Sequence, residues 1–211
     1  MFIAVDGGDG AGKSAQIAYL KNWFQNRGRD VAFFRDPGDT PLGEALREIL
    51  LARQDLAICP ESETALFMAA RAQLVRDKIR PALASGKIVL VDRFLLSTVV
   101  YQGYAVDGDA ESIWRFGTRL TGGLLPDVTF VLDCPTDVAF GRIRRAKDRV
   151  ESKGDSFHRR VRDGFLRAVA DWERFQIPGE IFVVDATRPP EEVSAKITER
   201  LQAETPNSTN R

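Results

Sequence analysis

The chain has 211 residues, of which 44% are hydrophobic and 28% charged, with 30 Lys and Arg balancing 30 Asp and Glu. That composition fits an ordinary globular domain, long enough for one core and short for two, and its balanced charge excludes a global field drawing it toward nucleic acid or an acidic membrane. Two cysteines far apart, Cys59 and Cys134, exclude a disulfide scaffold and fit a reducing cytoplasm.

The first apolar run, Phe2–Val5, lacks the basic start and long apolar core of a signal peptide, and no later stretch approaches a membrane span. A cytoplasmic chain is expected. Short apolar runs at Phe2–Val5, Val31–Phe34, Ile88–Val91, Val128–Leu132 and Ile181–Val184 alternate with longer amphipathic segments, the pattern of parallel βαβ units. After the first run, Ile17, Leu20 and Phe24 fall on one helical face, and Gly28 stands where a C-cap belongs. From about Pro60 to Ala84, Leu66, Met68, Ala69, Leu74, Ile79 and Leu83 give a second helix a broad apolar face that Pro81 should bend. Phe157, Val161, Phe165, Val169 and Trp172 mark a third. Polar residues 204–211 read as a frayed tail behind one domain of residues 1–203. The prediction is an α/β three-layer fold: a five-stranded parallel sheet flanked by helices, with ligands outside the carboxyl ends of the strands.

The residues just after each strand are the unusual ones. After the first run comes Gly7-Gly8-Asp9-Gly10-Ala11-Gly12-Lys13-Ser14, a match to G-x-x-x-x-G-K-[ST] between a strand and a helix. Its glycines let backbone N–H groups turn toward phosphate oxygens. Lys13 reaches the β- and γ-phosphates, and the Ser14 hydroxyl is placed for Mg²⁺. This makes the fold that of a P-loop NTPase. The loop alone does not say whether ATP is hydrolysed, transferred or sensed.

After the second run, Arg35 stands at a strand end, where a guanidinium could grip an acceptor phosphate or equally form a surface salt bridge. After the third come Asp92, a metal-water holder or a helix cap, and Arg93, a second phosphate clamp. Phe67 and Arg71 share a helix face, so one could stack on a base while the other bonds its edge. Ser97-Thr98 and Tyr101-Gln102-Gly103-Tyr104 supply hydroxyls and an amide to complete the reading. His158 has no nucleophile partner and is expected to face solvent. No His/Cys cluster has zinc-ligand spacing.

From Phe2 to about Leu201 the sequence resembles the thymidylate kinases. The resemblance rests on the P-loop, Arg35-Asp36-Pro37-Gly38-Asp39-Thr40, Leu66-Phe67 with Arg71, Asp92-Arg93, Ser97-Thr98, Tyr101-Gln102-Gly103 and Val184-Asp185-Ala186-Thr187. It implies transfer from ATP to dTMP, with Mg²⁺ carried by Ser14 and Asp92 and a homodimer formed by the apolar helices after strands two and three. Phe67 would stack on thymine, Arg71, Ser97 and Gln102 would contact the acceptor, and Arg35 and Arg93 would hold its phosphate. Asp9 would accept from the sugar 3′-hydroxyl beside a wall at Tyr104, and Ala186 and Thr187 would lie by the adenine.

Some thymidylate kinases carry a catalytic arginine in the P-loop, where this chain has Gly10. The resemblance then moves that arginine to a short Arg-rich lid of about residues 142–154, with Arg144 and Arg145 as candidates and Arg149 pairing an acidic neighbour. Departures from the family pattern are Asp6, Asp36, Asp39 and Phe94. A different nucleoside monophosphate acceptor, or a nucleotide-binding P-loop switch, are the alternatives.

Overall fold

Strands buried on both faces need apolar residues at successive positions, and the five runs supply them. The computed structural model describes residues 1–144, 146, 148–173 and 177–204. Its strands are β1 (Phe2–Gly7), β2 (Val31–Arg35), β3 (Ile88–Asp92), β4 (Val128–Asp133) and β5 (Glu180–Asp185). They pair in parallel in the order β2-β3-β1-β4-β5. Each expected strand is present.

Alternate residues of β1 feed two cores. Phe2 and Ala4 join Val89, Val91 and Val131 on one face. That face is covered by α3 (Pro60–Leu74), α5 (Leu95–Gln102), α6 (Ala110–Leu120) and α8 (Asp155–Ala170). Ile3 and Val5 face the other side, under α1 (Lys13–Gln25) and α9 (Pro190–Glu204). Ile17, Leu20 and Phe24 of α1 meet Val193, Ile197 and Leu201 of α9 in that second core.

The helix expected over Pro60 to Ala84 is α3, a π-helical turn at Val75–Ile79 and α4 (Arg80–Ala84). Pro81 has no N–H to donate one turn back, and the ladder widens just upstream, where the Arg80 N–H reaches Val75 O. Sequence reading did not separate α2 (Pro41–Arg47), α5, α6, α7 (Thr136–Gly141) or α9. Every residue of α5 is buried, so it carries no amphipathic period to detect.

His158 corrects an expectation. It is buried rather than exposed, edge-on to Phe140 and Phe157, with Nε2 3.1 Å from the Glu151 carbonyl. Among the described residues no helix is long and apolar enough to cross a membrane.

The register sets the site. Arg35 and Val5 both align with Asp92, and Gly7 aligns with Leu132, so the carboxyl ends of β2, β3, β1 and β4 share one edge. α5 leaves that edge and packs on α6 through Gly117, where an added Cβ would lie 2.1 Å from Leu95 Cδ1. Gly117→Ala should therefore destabilise the chain by about 1–3 kcal/mol through overpacking. Urea unfolding should show a lower midpoint at unchanged slope, and an unchanged midpoint would mean that α6 can move away freely.

Candidate active site

A cleft of about 580 Å³ opens at this edge, with the Gly-rich loop on one side and β2, α3 and α5 on the other. Lys13, at the start of α1, is buried, and its ammonium donates to the carbonyls of Gly8 at 2.7 Å and Gly7 at 3.2 Å. Burial foremost, then repulsion from Arg93, pulls its pKa down to about 8, with Asp9, Asp92 and Asp6 opposing the drop. Ser14 follows, exposed and facing the same cleft. Gly10 has φ 78°, and a Cβ there would stand 2.1 Å from the Ala139 carbonyl of α7. The loop is closed against any side chain at that point.

On the opposite wall, Arg93 sits just past β3 with φ 67°, a strained left-handed conformation for a large residue. Its guanidinium donates to Gly7 O at 2.8 Å, to the Ser97 hydroxyl at 3.1 Å and to the Asp9 carboxylate. The Tyr101 hydroxyl donates to the second Asp9 oxygen at 2.9 Å. Burial acting alone would raise the Asp9 carboxyl, but Arg93 and Lys13 outweigh it and hold it below the usual range.

Beneath this pair lies Asp6, fully buried, with one oxygen taking the Ser97 hydroxyl proton and the other without a hydrogen-bond partner. Burial raises its pKa to about 6, against the Ser97 hydrogen bond and the charges of Arg93, Lys13 and Arg71. Ser97 therefore stands behind Arg93 and supports it.

Phe67 lines the cleft from α3. Arg71, one turn on, also borders it but is nearly all buried: Nε donates to Asp36 at 2.5 Å, and Nη2 to Thr98 Oγ1 at 2.9 Å and Phe94 O at 3.2 Å. A buried Arg–Asp pair fixes where α3 meets the loop after β2. Phe94, which departs from the family pattern, packs edge-on against Phe2 at 5.1 Å in the core, away from the ligand space. Asp39 is used locally, its carboxylate accepting the Arg35 backbone N–H at 2.6 Å. Arg35 reaches the cleft, pairs with Glu44 at 2.8 Å, and keeps a buried Nε without a partner. Gln102 lines the cleft too, but its amide nitrogen is given to Glu63 at 2.8 Å.

Tyr104 is not brought to the cleft lining. Its hydroxyl donates to Asp171 at 2.7 Å, and Tyr101 is the ring that stands by Asp9. Ala186 and Thr187 also lie outside the lining: the Ala186 N–H bonds Asp133 O at 2.8 Å, and Thr187 caps on Asp185. The Ala186 carbonyl takes Arg142 Nη1 at 2.9 Å, and Arg142 does line the cleft, as does Arg144. Arg145 lies outside the described residues. Arg149 pairs with Glu63 at 2.5 Å, a residue 86 positions away that sequence reading did not single out. Sequence reasoning quoted the segments that hold Tyr101 and Arg142 but did not single out either residue for the cleft. It also missed Arg47, whose Nη1 donates to Pro37 O at 2.8 Å beside the cleft.

Ser14 and Asp92 offer a hydroxyl and a carboxylate, oxygen donors suited to a hard cation. Among the described residues no group of three or more His, Cys, Asp or Glu could hold a metal alone. That donor set fits Mg²⁺, which keeps several waters and binds through one or two protein groups plus phosphates.

A family model described as thymidylate kinase matches residues 5–197. A thymidylate kinase of Leifsonia xyli subsp. xyli is 43% identical over 204 residues, spanning 95% of this chain and 94% of its own. One from Clavibacter michiganensis is 44% identical over 207 residues, spanning 96% and 95%. One from Kosmotoga olearia is 39% identical over 203 residues, spanning 95% of both.

The raised Asp6 pKa gives a signed prediction. The folded value of about 6 exceeds the unfolded value of 3.8, so the folded chain holds the extra proton between them and stability falls as pH climbs through that window. Asp6→Asn can keep a hydrogen bond with Ser97 and removes the buried charge. Relative to the unsubstituted chain, the variant should gain roughly 1–3 kcal/mol between about pH 4 and pH 7. Urea titrations at the two pH values measure the difference, and a pH-independent gap would show that Asp6 does not titrate there.

Proposed function

The chain belongs to the thymidylate kinase family, and from that premise we propose how its own residues divide the transfer of a phosphoryl group from ATP to dTMP. The observation that carries this reading is that the phosphate loop with Lys13 and the acceptor-type group Arg35, Phe67 and Arg93 line one cleft.

In this reading Gly7 to Ser14 cradle the ATP phosphates, and Lys13 is drawn from its own loop carbonyls onto the β- and γ-oxygens. dTMP lies on the other wall with its base on Phe67. Arg71 offers the base edge its remaining N–H, and Gln102 offers its amide oxygen. Arg35, whose Nε lacks a partner, and Arg93 hold the acceptor phosphate. Asp9 accepts from the sugar 3′-hydroxyl, and Tyr101 rather than Tyr104 is the wall beside it.

An oxygen of the dTMP phosphate attacks the γ-phosphorus of ATP in line, the bond from that phosphorus to the bridging oxygen breaks, and ADP leaves. Catalysis is then positioning plus charge neutralisation, with Arg142 and Arg144 of the lid facing the transferring group. Mg²⁺ arriving with ATP would meet Ser14 and Asp92 and offset phosphate charge. Closure of residues 142–154 over the cleft would exclude water.

We further propose a cytoplasmic homodimer. Phe116 and Leu120, 46% and 40% exposed one turn apart on α6, support an interface on the helices after β3.

Lys13→Ala should reduce turnover at least roughly 100-fold without lowering the melting temperature. Phe67→Ala should raise the KM for dTMP by about 5- to 100-fold, the worth of a lost base–aromatic stack, with little change in the KM for ATP. Both are read in a coupled ADP assay across the nucleoside monophosphates. Highest activity with dGMP would overturn the acceptor assignment, and ATP turnover unaffected by any monophosphate would overturn the transfer itself.

A further inference from the structure

Glu63, in the first turn of α3, has no place in the chemistry above, yet the residue is 3% exposed and its carboxylate gathers three donors, one from α5 and two from the lid. Gln102 Nε2 of α5 reaches Oε1 at 2.8 Å, Lys153 Nζ reaches Oε1 at 3.0 Å, and Arg149 Nη2 reaches Oε2 at 2.5 Å. We propose that Glu63 is a positioning residue for the transfer, the anchor that docks the lid onto the acceptor side of the cleft.

The segment is tied at both ends. At the donor side, Arg142 holds the Ala186 carbonyl at 2.9 Å. At the acceptor side, besides the Glu63 contacts, Arg149 donates from Nε to Leu50 O at 2.7 Å and from its backbone N–H to Leu51 O at 2.9 Å. Arg144 lies between these ties and lines the cleft. The ties thus lie at the loop after β5 and at α3, and the distance between them sets where the Arg144 guanidinium sits.

Charge is what makes this carboxylate suited to the task. The N-terminal end of α3 favours an anion, and two cations from the lid meet it. Burial alone would raise the Glu63 pKa, but Arg149, Lys153 and Gln102 together hold it below the usual range, so the anchor is ionised at neutral pH. The Gln102 bond extends the same anchor into the acceptor wall. Because a carboxylate only accepts, the Gln102 nitrogen must face Glu63, which leaves its amide oxygen for the cleft. Tyr101, the adjacent residue, bonds Asp9. One side chain therefore fixes the far end of the lid and the orientation of an acceptor-side amide.

The proposal rests on the kinase reading of the cleft, and its test separates the two. On the full chain, Glu63→Gln, Arg149→Gln and the double variant are compared by steady-state kinetics and, without ligand, by amide hydrogen exchange. Each single variant should lower kcat with dTMP about tenfold, with the KM for ATP within about twofold and the melting temperature little changed. The double variant should lose less than the product of the two single losses, because both substitutions remove the shared Glu63–Arg149 contact. In the ligand-free chain, the Arg149 amide should exchange about tenfold faster in Glu63→Gln. Multiplying losses in the double variant, or unchanged kcat with unchanged lid exchange, would overturn the proposal. If Glu63→Gln does not fold, Arg149→Gln decides alone by the same kcat and exchange criteria. Failure of the unsubstituted chain to phosphorylate dTMP would strike the kinase reading and leave the exchange result standing.

Discussion

A single guanidinium joins the two halves of the cleft. Arg93 leaves β3 in a left-handed conformation and contacts a carbonyl of the phosphate loop, the Asp9 carboxylate and the Ser97 hydroxyl of α5. Those contacts are possible because β1 and β3 are neighbours in the sheet, with Val5 level with Asp92. Backbone strain at Arg93 is offset by three bonds that a relaxed backbone would misdirect. The Gly-rich loop and α5 are thus registered against each other through one side chain.

Around that contact the protein keeps charge in places where burial is costly. Asp6 is raised and Lys13 depressed, each chiefly by loss of solvent, and each still feels the other's charge. The Arg71–Asp36 pair, both side chains almost without exposure, does the same for the loop after β2. Replacing such pairs with apolar residues would often be neutral for stability. On the proposed reading, their place at the rim of the cleft is better explained by preorganisation: dipoles and charges already aimed need not reorganise during transfer.

The sheet was legible because strands covered on both faces must be apolar throughout, and short β-branched runs between turns leave little choice of reading. The phosphate loop was legible because backbone cradling requires glycine at fixed spacing. Side-chain destinations were less so. Tyr101 and Tyr104 are three residues apart with the same chemistry, and only the path of α5 and the turn after it sends one to Asp9 and the other to Asp171. Arg71 reads as a base-edge group sharing a helix face with Phe67, whereas the distant partner Asp36 draws it inside. His158 looked like a surface residue because its aromatic neighbour Phe140 lies in another helix. Glu63 gave no local signal, since the residues that define it are 39 and 86 positions away. Local rules found the elements, and long-range pairing decided which polar groups were free to act.

The contact between Gly10 and Ala139 restricts how this chain could be rewired by mutation. The family resemblance allows a catalytic arginine to come from either the phosphate loop or the lid. Here the first arrangement is barred one substitution away, because any side chain at position 10 would collide with the α7 backbone before its charge reached the cleft. A side chain could enter position 10 only if α7 were drawn back from the loop. On the proposed reading, the task is therefore left to the lid by the crowding of one carbonyl on the far side of the loop.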